Sequence, residues 1–418
     1  MKEVESRHIE KNYSWKYNIV FFIIIFISDD TYNFGSNENF VYIFAKYIIY
    51  FILTIYLLSK IGLKSITFFT RGILVFFLIM ISILITSFFN FDISGGYIYQ
   101  IWLFLLGFLL VNFYSYKQFI YLYSKFIYVL AVISLIAFVI SSIIPSVIGI
   151  FPKQINSAGA SVHNLWLCVV SLEYTYLRNM SIFREPGVYM IYLNFAIIFE
   201  LFFKEEINKR NLLVFVLAIV STLSTAAFIA LGTIFIAYLF TKSKTKASQK
   251  TKAFIIAMIL ISIMAIAISG ELYSMVFGKV SKDNVGDGSS LARGVSVVAN
   301  FNIFLDNFLF GVGIRDYPLL FEKYTLDLVG IALETGNNTN TITTILAVYG
   351  LLFGSLFVYM LICFAKKTSK SIIVRVFIFL VLIMFYSNED LRYSIMSATM
   401  LMFGLTSRKE ANFKNKNN

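Results

Sequence analysis

Gly72-Ile73-Leu74-Val75-Phe76-Phe77-Leu78-Ile79-Met80-Ile81-Ser82-Ile83-Leu84-Ile85-Thr86-Ser87-Phe88-Phe89 is a stretch without a charged side chain. A helix rises about 1.5 Å per residue and the hydrocarbon core of a bilayer is about 30 Å thick, so about 18 apolar residues suffice to cross it. Similar blocks recur at 15–28, 40–58, 97–114, 121–144, 187–203, 211–240, 253–269, 341–364, 372–387 and 391–406. They do not alternate apolar and polar residues, which disfavours a transmembrane barrel. Of 418 residues, 59% are hydrophobic and 14% charged, against roughly 25% charged in soluble domains. The expected fold is all-α: a polytopic transmembrane helix bundle.

The net charge of +12 is spread over short connectors and is no nucleic-acid signal. Lys60, Lys64 and Arg71, then Lys117, then Lys204, Lys209 and Arg210, then Lys242 to Lys252, then Lys366, Lys367, Lys370 and Arg375 fall between apolar blocks. Connectors of this kind stay in the cytoplasm on insertion. Segments 29–39, 90–96 and 388–390 are acidic, lack Lys and Arg, and are expected outside. Block 211–240 sits between two basic connectors, so the chain must cross there an even number of times. As one helix it would run about 45 Å, too long for the core. A split at Ser221-Thr222-Leu223-Ser224-Thr225, where hydroxyls can satisfy freed backbone groups, resolves the conflict. The expectation is about 12 spans with both termini cytoplasmic. Residues 1–269 would carry roughly nine spans and an outer loop at 145–186, and 270–340 a large extracytoplasmic loop domain. Residues 341–407 would carry the remaining spans, and 408–418 a cytoplasmic tail. The first block ends in Ser28-Asp29-Asp30 without a small-x-small cleavage site, and so reads as a retained span. Cys168 and Cys363 read as small apolar residues, not as a disulfide.

Against the general trend, the outer segments contain arginines: Arg178, Arg184, Arg293 and Arg315. Phe183-Arg184-Glu185-Pro186-Gly187 directly precedes a span. Proline suits a first helical turn, and a helix N-terminus with a guanidinium beside it is a good phosphate site. The other reading of Arg184 is a snorkelling side chain paired with Glu185. Arg293 opens an amphipathic stretch. Arg315 follows Gly311-Val312-Gly313-Ile314, which is no nucleotide fingerprint because no strand–helix unit surrounds it. Among the outer carboxylates Glu173, Glu185, Asp316 and Glu334, Glu185 is the preferred general base because it adjoins Arg184. His163 reads as structural. Lys46 lies within a span, where it either lines a polar cavity or snorkels. No metal-ligand spacing and no nucleotide-phosphate motif occur.

Several segments together resemble the O-antigen polymerase and O-antigen ligase family of membrane glycosyltransferases. Phe183-Arg184-Glu185-Pro186-Gly187 is similar to the family's Arg-Glu-x-Gly element before a span, and the hydroxyl run 221–225 to its break between two short helices. Arg293 with Phe310-Gly311-Val312-Gly313 is similar to its Arg and later Phe-Gly-x-Gly. Thr339-Asn340-Thr341 through Tyr349-Gly350-Leu351-Leu352-Phe353-Gly354 resembles its return into the membrane. Ligases of the family carry His-Asn where this chain has Thr339-Asn340, so polymerase is favoured over ligase. The spaced Arg-to-Gly motif of some polymerases is not matched.

The resemblance implies joining of undecaprenyl-diphosphate-linked oligosaccharides on the outer face of the bacterial cytoplasmic membrane, without metal or cofactor. Arg184, Arg293, Arg315 and Arg178 would bind the diphosphate, with Glu185, Arg184 and Arg293 catalytic. Asn338, Asn340 and Lys46 would contact substrate. Implied partners are membrane lipids, a chain-length regulator and a flippase, with no nucleic acid. The alternatives are a ligase that moves finished polymer to an acceptor, and a flippase or transporter. A transporter would more often place charge at the midplane of repeated halves, and no repeat is seen.

Overall fold

The computed structural model describes residues 15–36, 39–61, 71–155, 161–172, 177–241, 249–250, 252–256 and 288–406. Its helices are α1 (Trp15–Phe26), α2 (Phe40–Ile61), α3 (Arg71–Phe89), α4 (Gly95–Phe113), α5 (Tyr116–Ile143), α6 (Pro186–Ile198), α7 (Lys209–Ser221), α8 (Thr225–Leu239), α9 (Gly288–Asp306), α10 (Gly313–Val329), α11 (Thr341–Thr368), α12 (Ile372–Asn388) and α13 (Ile395–Leu405). A π turn, Phe199–Phe203, extends α6. Phe40–Ile61, Arg71–Phe89, Gly95–Phe113, Tyr116–Ile143, Pro186–Phe203 and Thr341–Thr368 are long and apolar enough to cross a bilayer. The chain is a multi-pass membrane protein. Leu74, Phe77, Ile81 and Leu84 on α3, like Phe51, Ile52 and Ile55 on α2, leave large apolar side chains on the outside of the bundle. That surface suits hydrocarbon rather than water.

Helix α6 lies at the centre. Every residue from Pro186 to Ile198 is buried, as expected of a helix apolar all round. It packs against α5, α7 and α8. Helix α13 is also wholly buried, and small residues let its backbone come close to its neighbours. A Cβ on Gly107 of α4 would meet Ala398 C at 2.9 Å, and one on Gly404 would meet Phe364 N at 3.0 Å.

Among the described residues, basic side chains of several connectors gather at one end of the bundle. There Lys117 pairs with Glu205 at 3.1 Å, Lys125 donates to Asn18 at 3.2 Å, and Lys367 donates to Phe403 O and Thr406. The break in block 211–240 falls at Thr222-Leu223-Ser224, with Leu223 at φ 48°. The chain reverses there, because both flanks lie at the lysine end. The Phe202 and Tyr238 rings are 5.9 Å apart, and Lys209 Nζ lies 6.0 Å from the Phe254 ring. The freed groups at the break find partners. Arg178 Nε donates to Thr222 O at 3.0 Å, and Asn179 donates its backbone N–H to Ser221 O and its side chain to Ser221 Oγ, both at 2.9 Å.

The opposite end gathers the arginines. Residues 145–172 were expected to be loop. They contain a helical turn, Pro145–Ile148, and a small antiparallel sheet of order β1 (Lys153–Ile155), β2 (Ser161–Asn164) and β3 (Val169–Val170). The bundle is all-α as expected, and this small sheet is a local addition whose strands are too short for alternation to register in sequence. In the expected loop domain, α9 packs on α10 and α11. Its Ala299 and Ile303 share the core of the spans. Gly350 interrupts α11 at φ 72° and ψ −166°. Its unwound turn exchanges backbone hydrogen bonds with the turn after α9: Leu351 N donates to Phe308 O and Val312 N to Ala347 O, both at 2.9 Å. A Cβ on Gly350 would sit 2.4 Å from Leu309 O, so only glycine fits. Residues 257–287, which hold most of the expected span 253–269 and the start of the loop domain, lie outside the described residues, as does Glu173.

Candidate functional site

The site is built on the N-terminus of α6. Residues before it are held extended by the turn after α1: Thr31 bridges Phe183, Tyr32 N donates to Ile182 O at 2.9 Å, and Arg184 N donates to Asp30 O at 3.0 Å. The Asp30 carboxylate is buried and accepts from Ser28, Tyr192 and Ser394. Burial raises its pKa, against the lowering effects of Arg184, Ser394 and Tyr192. Arg184 is thus fixed by backbone at one end, while its Nη2 donates to Asp390 O at 2.6 Å. Glu185 occupies the N-cap position in an extended conformation, with no side-chain cap hydrogen bond. Its carboxylate is exposed and so available to a ligand.

The other wall is the turn between α12 and α13. Thr341, the first residue of α11, clamps it by donating to Glu389 O at 2.6 Å and accepting from Leu391 N at 2.8 Å. The clamp drives the Glu389 side chain into the bundle, where it is 2% exposed. Its Oε1 accepts from Asn388 Nδ2 at 3.3 Å and rests on Gly187, where a Cβ would lie 1.8 Å away. Arg293, from α9, donates through Nη1 to Asn388 Oδ1 at 3.1 Å. The Nε atoms of Arg184 and Arg293 are buried without a hydrogen-bond partner.

Burial, then the charge of Glu185, raises the Glu389 carboxyl to about 8, against the lowering pull of Arg184, Arg293 and Arg178. For Arg184, burial works to lower the pKa, but Glu389, Asp30, Glu185 and Asp390 together raise it, so it stays charged. Beside them Asp390 pairs with Arg392 at 2.8 Å, and that pairing overcomes burial to lower Asp390's pKa. The result is three guanidiniums around two carboxyls, one exposed and one buried, at the positive end of a helix. Such a centre attracts a multiply charged anion.

Of the residues singled out in the sequence, Arg178, Arg184, Glu185 and Arg293 come together. Arg315 makes its contacts elsewhere, pairing with exposed Asp316 at 2.9 Å and donating its backbone N–H to Asp92 at 2.8 Å. These partners lie on the first turn of α10 and in the turn between α3 and α4, and Arg315 is not among the groups that act on Glu389. Lys46 forms a buried ion pair with Asp29, which also accepts from Tyr99. The Lys46 ammonium also donates to Phe34 O at 3.4 Å, so its described contacts are within the protein. Asn340 caps α11 by accepting from Thr343 N at 2.9 Å. Asn338 donates to Tyr317 and Thr344, both at 2.6 Å, and accepts from Asn300 at 3.3 Å. Both asparagines are buried; Asn338 joins α9, α10 and α11, while Asn340 also donates to Ser387 O of α12 at 3.3 Å. His163 contacts Phe151 O at 3.0 Å, as a structural histidine would, and Glu334 is exposed. Sequence reasoning missed Glu389 and Asn388. Their signal is an acidic turn between two largely apolar blocks, a pattern that marks topology more plainly than chemistry.

Among the described residues no group of three His, Cys, Asp or Glu side chains could hold a metal ion. In comparisons with protein-family models, curated proteins and solved structures, nothing matches this chain.

Proposed function

We propose that this protein is a membrane glycosyltransferase that polymerises lipid-diphosphate-linked oligosaccharide units on the outer face of a bacterial cytoplasmic membrane. The observation that carries the proposal is the convergence of Arg178, Arg184 and Arg293 on the Glu185–Glu389 pair at the N-terminus of a buried central helix. The lysine end faces the cytoplasm in this proposal, with about 12 spans and both termini inside. The arginine end then faces outward, where nucleotide sugars are absent and lipid-linked donors are at hand. The order of the Arg-Glu-Pro-Gly, Phe-Gly-Val-Gly and Tyr-Gly elements, which resembles that of O-antigen polymerases, supports the same assignment.

The chemistry follows from the charges. The acceptor hydroxyl oxygen attacks the anomeric carbon of the donor and forms the new glycosidic bond. The bond from that carbon to the diphosphate oxygen breaks, and its electron pair leaves with the diphosphate. Arg184 and Arg293, with unpartnered Nε–H groups, stabilise the charge that develops there. Exposed Glu185 takes the hydroxyl proton. The two lipid tails need apolar grooves that open sideways into the bilayer.

A deletion strain tests the proposal. Loss of a polymerase leaves single units displayed, loss of a ligase leaves polymer on the carrier lipid, and loss of a flippase leaves units inside. Arg184→Ala and Arg293→Ala should abolish chain growth at unchanged protein level. Wild-type polymer length in both variants would remove these arginines from the site.

A further inference from the structure

We infer that Glu389 is the acid partner of Glu185, giving its proton to the departing diphosphate oxygen while Glu185 takes one from the acceptor hydroxyl. The inference rests on the glycosyltransferase proposal and deepens it. The charge of Glu185 opposes ionisation of Glu389. Glu185 faces solvent. Buried Glu389, packed on Gly187 and held by Asn388 Nδ2, holds the proton. A neutral Glu389 also leaves the three arginines free to attract an anion that a second carboxylate would repel.

The groups facing Glu389 come from every side. Arg178, Arg184 and Glu185 belong to the segment before α6, and Arg293 to α9. Asp390 and Arg392 form their own ion pair on the same turn. Asp30 is linked through Arg184. Helix α11 contributes uncharged Thr341.

The proton count closes. Glu389 loses its proton to the oxygen released from the anomeric carbon, and Glu185 gains the one from the hydroxyl. Glu185 then passes that proton to Glu389. The site returns to its starting state after each transfer, with the acceptor's proton carried off on the diphosphate.

The test uses full-length protein in lipid vesicles and the lipid-diphosphate-oligosaccharide fraction extracted from a strain deleted for this gene. Transfer is followed across pH 6–10, and binding is measured separately with undecaprenyl diphosphate. Wild-type transfer should fall above about pH 8. Glu389→Gln should bind undecaprenyl diphosphate within about threefold of wild type, lose on the order of 10²-fold in transfer, and lose the high-pH limb. Arg184→Ala should lose binding. If Glu389→Gln transfers at the wild-type rate with the same limb, the relay is overturned while the glycosyltransferase stands. If wild type transfers nothing from this fraction, both fall. Should Glu389→Gln not fold, Glu185→Gln decides: removing the neighbouring charge must move the limb of its residual activity to lower pH, and an unmoved limb overturns the relay.

Discussion

Gly187→Ala is the sharpest perturbation of this site, because it adds a methyl group where the structure has room for none. The new Cβ would lie 1.8 Å from Glu389 Oε1 and 2.9 Å from its Cδ. Non-bonded heavy atoms settle near about 3.5 Å, so the carboxyl must retreat by roughly 1.5 Å. A displacement of about 1 Å at a reacting group costs on the order of 10²-fold in rate, so a loss of about 100-fold in transfer is expected. The fold should survive. Alanine favours a helix over glycine by up to ~1 kcal/mol, and overpacking costs about 1–3 kcal/mol. The net is below the roughly 5–15 kcal/mol that holds a typical protein together. The assay is transfer from the extracted lipid-linked fraction, with thermal unfolding as the check on folding. Adding Glu389→Asp shortens the displaced side chain by one methylene and should recover about tenfold of the rate. A folded Gly187→Ala protein with half or more of wild-type activity would show that Glu389 does not occupy this niche during turnover.

Gly350→Ala should fail in folding, not in chemistry. It combines a left-handed φ with a backbone collision at Leu309 O, a cost of about 3 kcal/mol or more, read as loss of folded protein in detergent. Arg315→Ala should leave polymer length and the unfolding temperature unchanged, because its ion pair with Asp316 is exposed; loss of polymer would return Arg315 to the site. Stability should depend on pH through Glu389. Its folded carboxyl titrates at about 8 and an unfolded one near about 4.3, so between those values the folded state binds more protons and stability falls as pH rises. Glu389→Gln should flatten that fall in unfolding curves taken from pH 5 to 8, and an unchanged slope would show that Glu389 is not the group responsible.

What the sequence by itself determined is the part governed by local periodicity and by the energetics of insertion. Block length marked the apolar helices, and lysine-bearing connectors marked one end of the bundle. The conflict of charge and length at 211–240 located the reversal at the hydroxyl run. The Arg-Glu-Pro-Gly element was legible because proline and glycine announce a helix N-terminus whatever surrounds it. The partners of Arg184 were not legible. Asp30 and Glu389 come from turns about 150 and 200 positions away in the chain, and only the packing of α12 and α13 around α6 brings them in. The same holds for Lys46, Asn338, Asn340 and Arg315, which are polar in sequence but take their roles from buried or ion-pair partners on other elements. Burial decided the chemistry as well. Glu185 and Glu389 are the same residue type, and they differ because one faces solvent while the other is sealed against Gly187 by the Thr341 clamp.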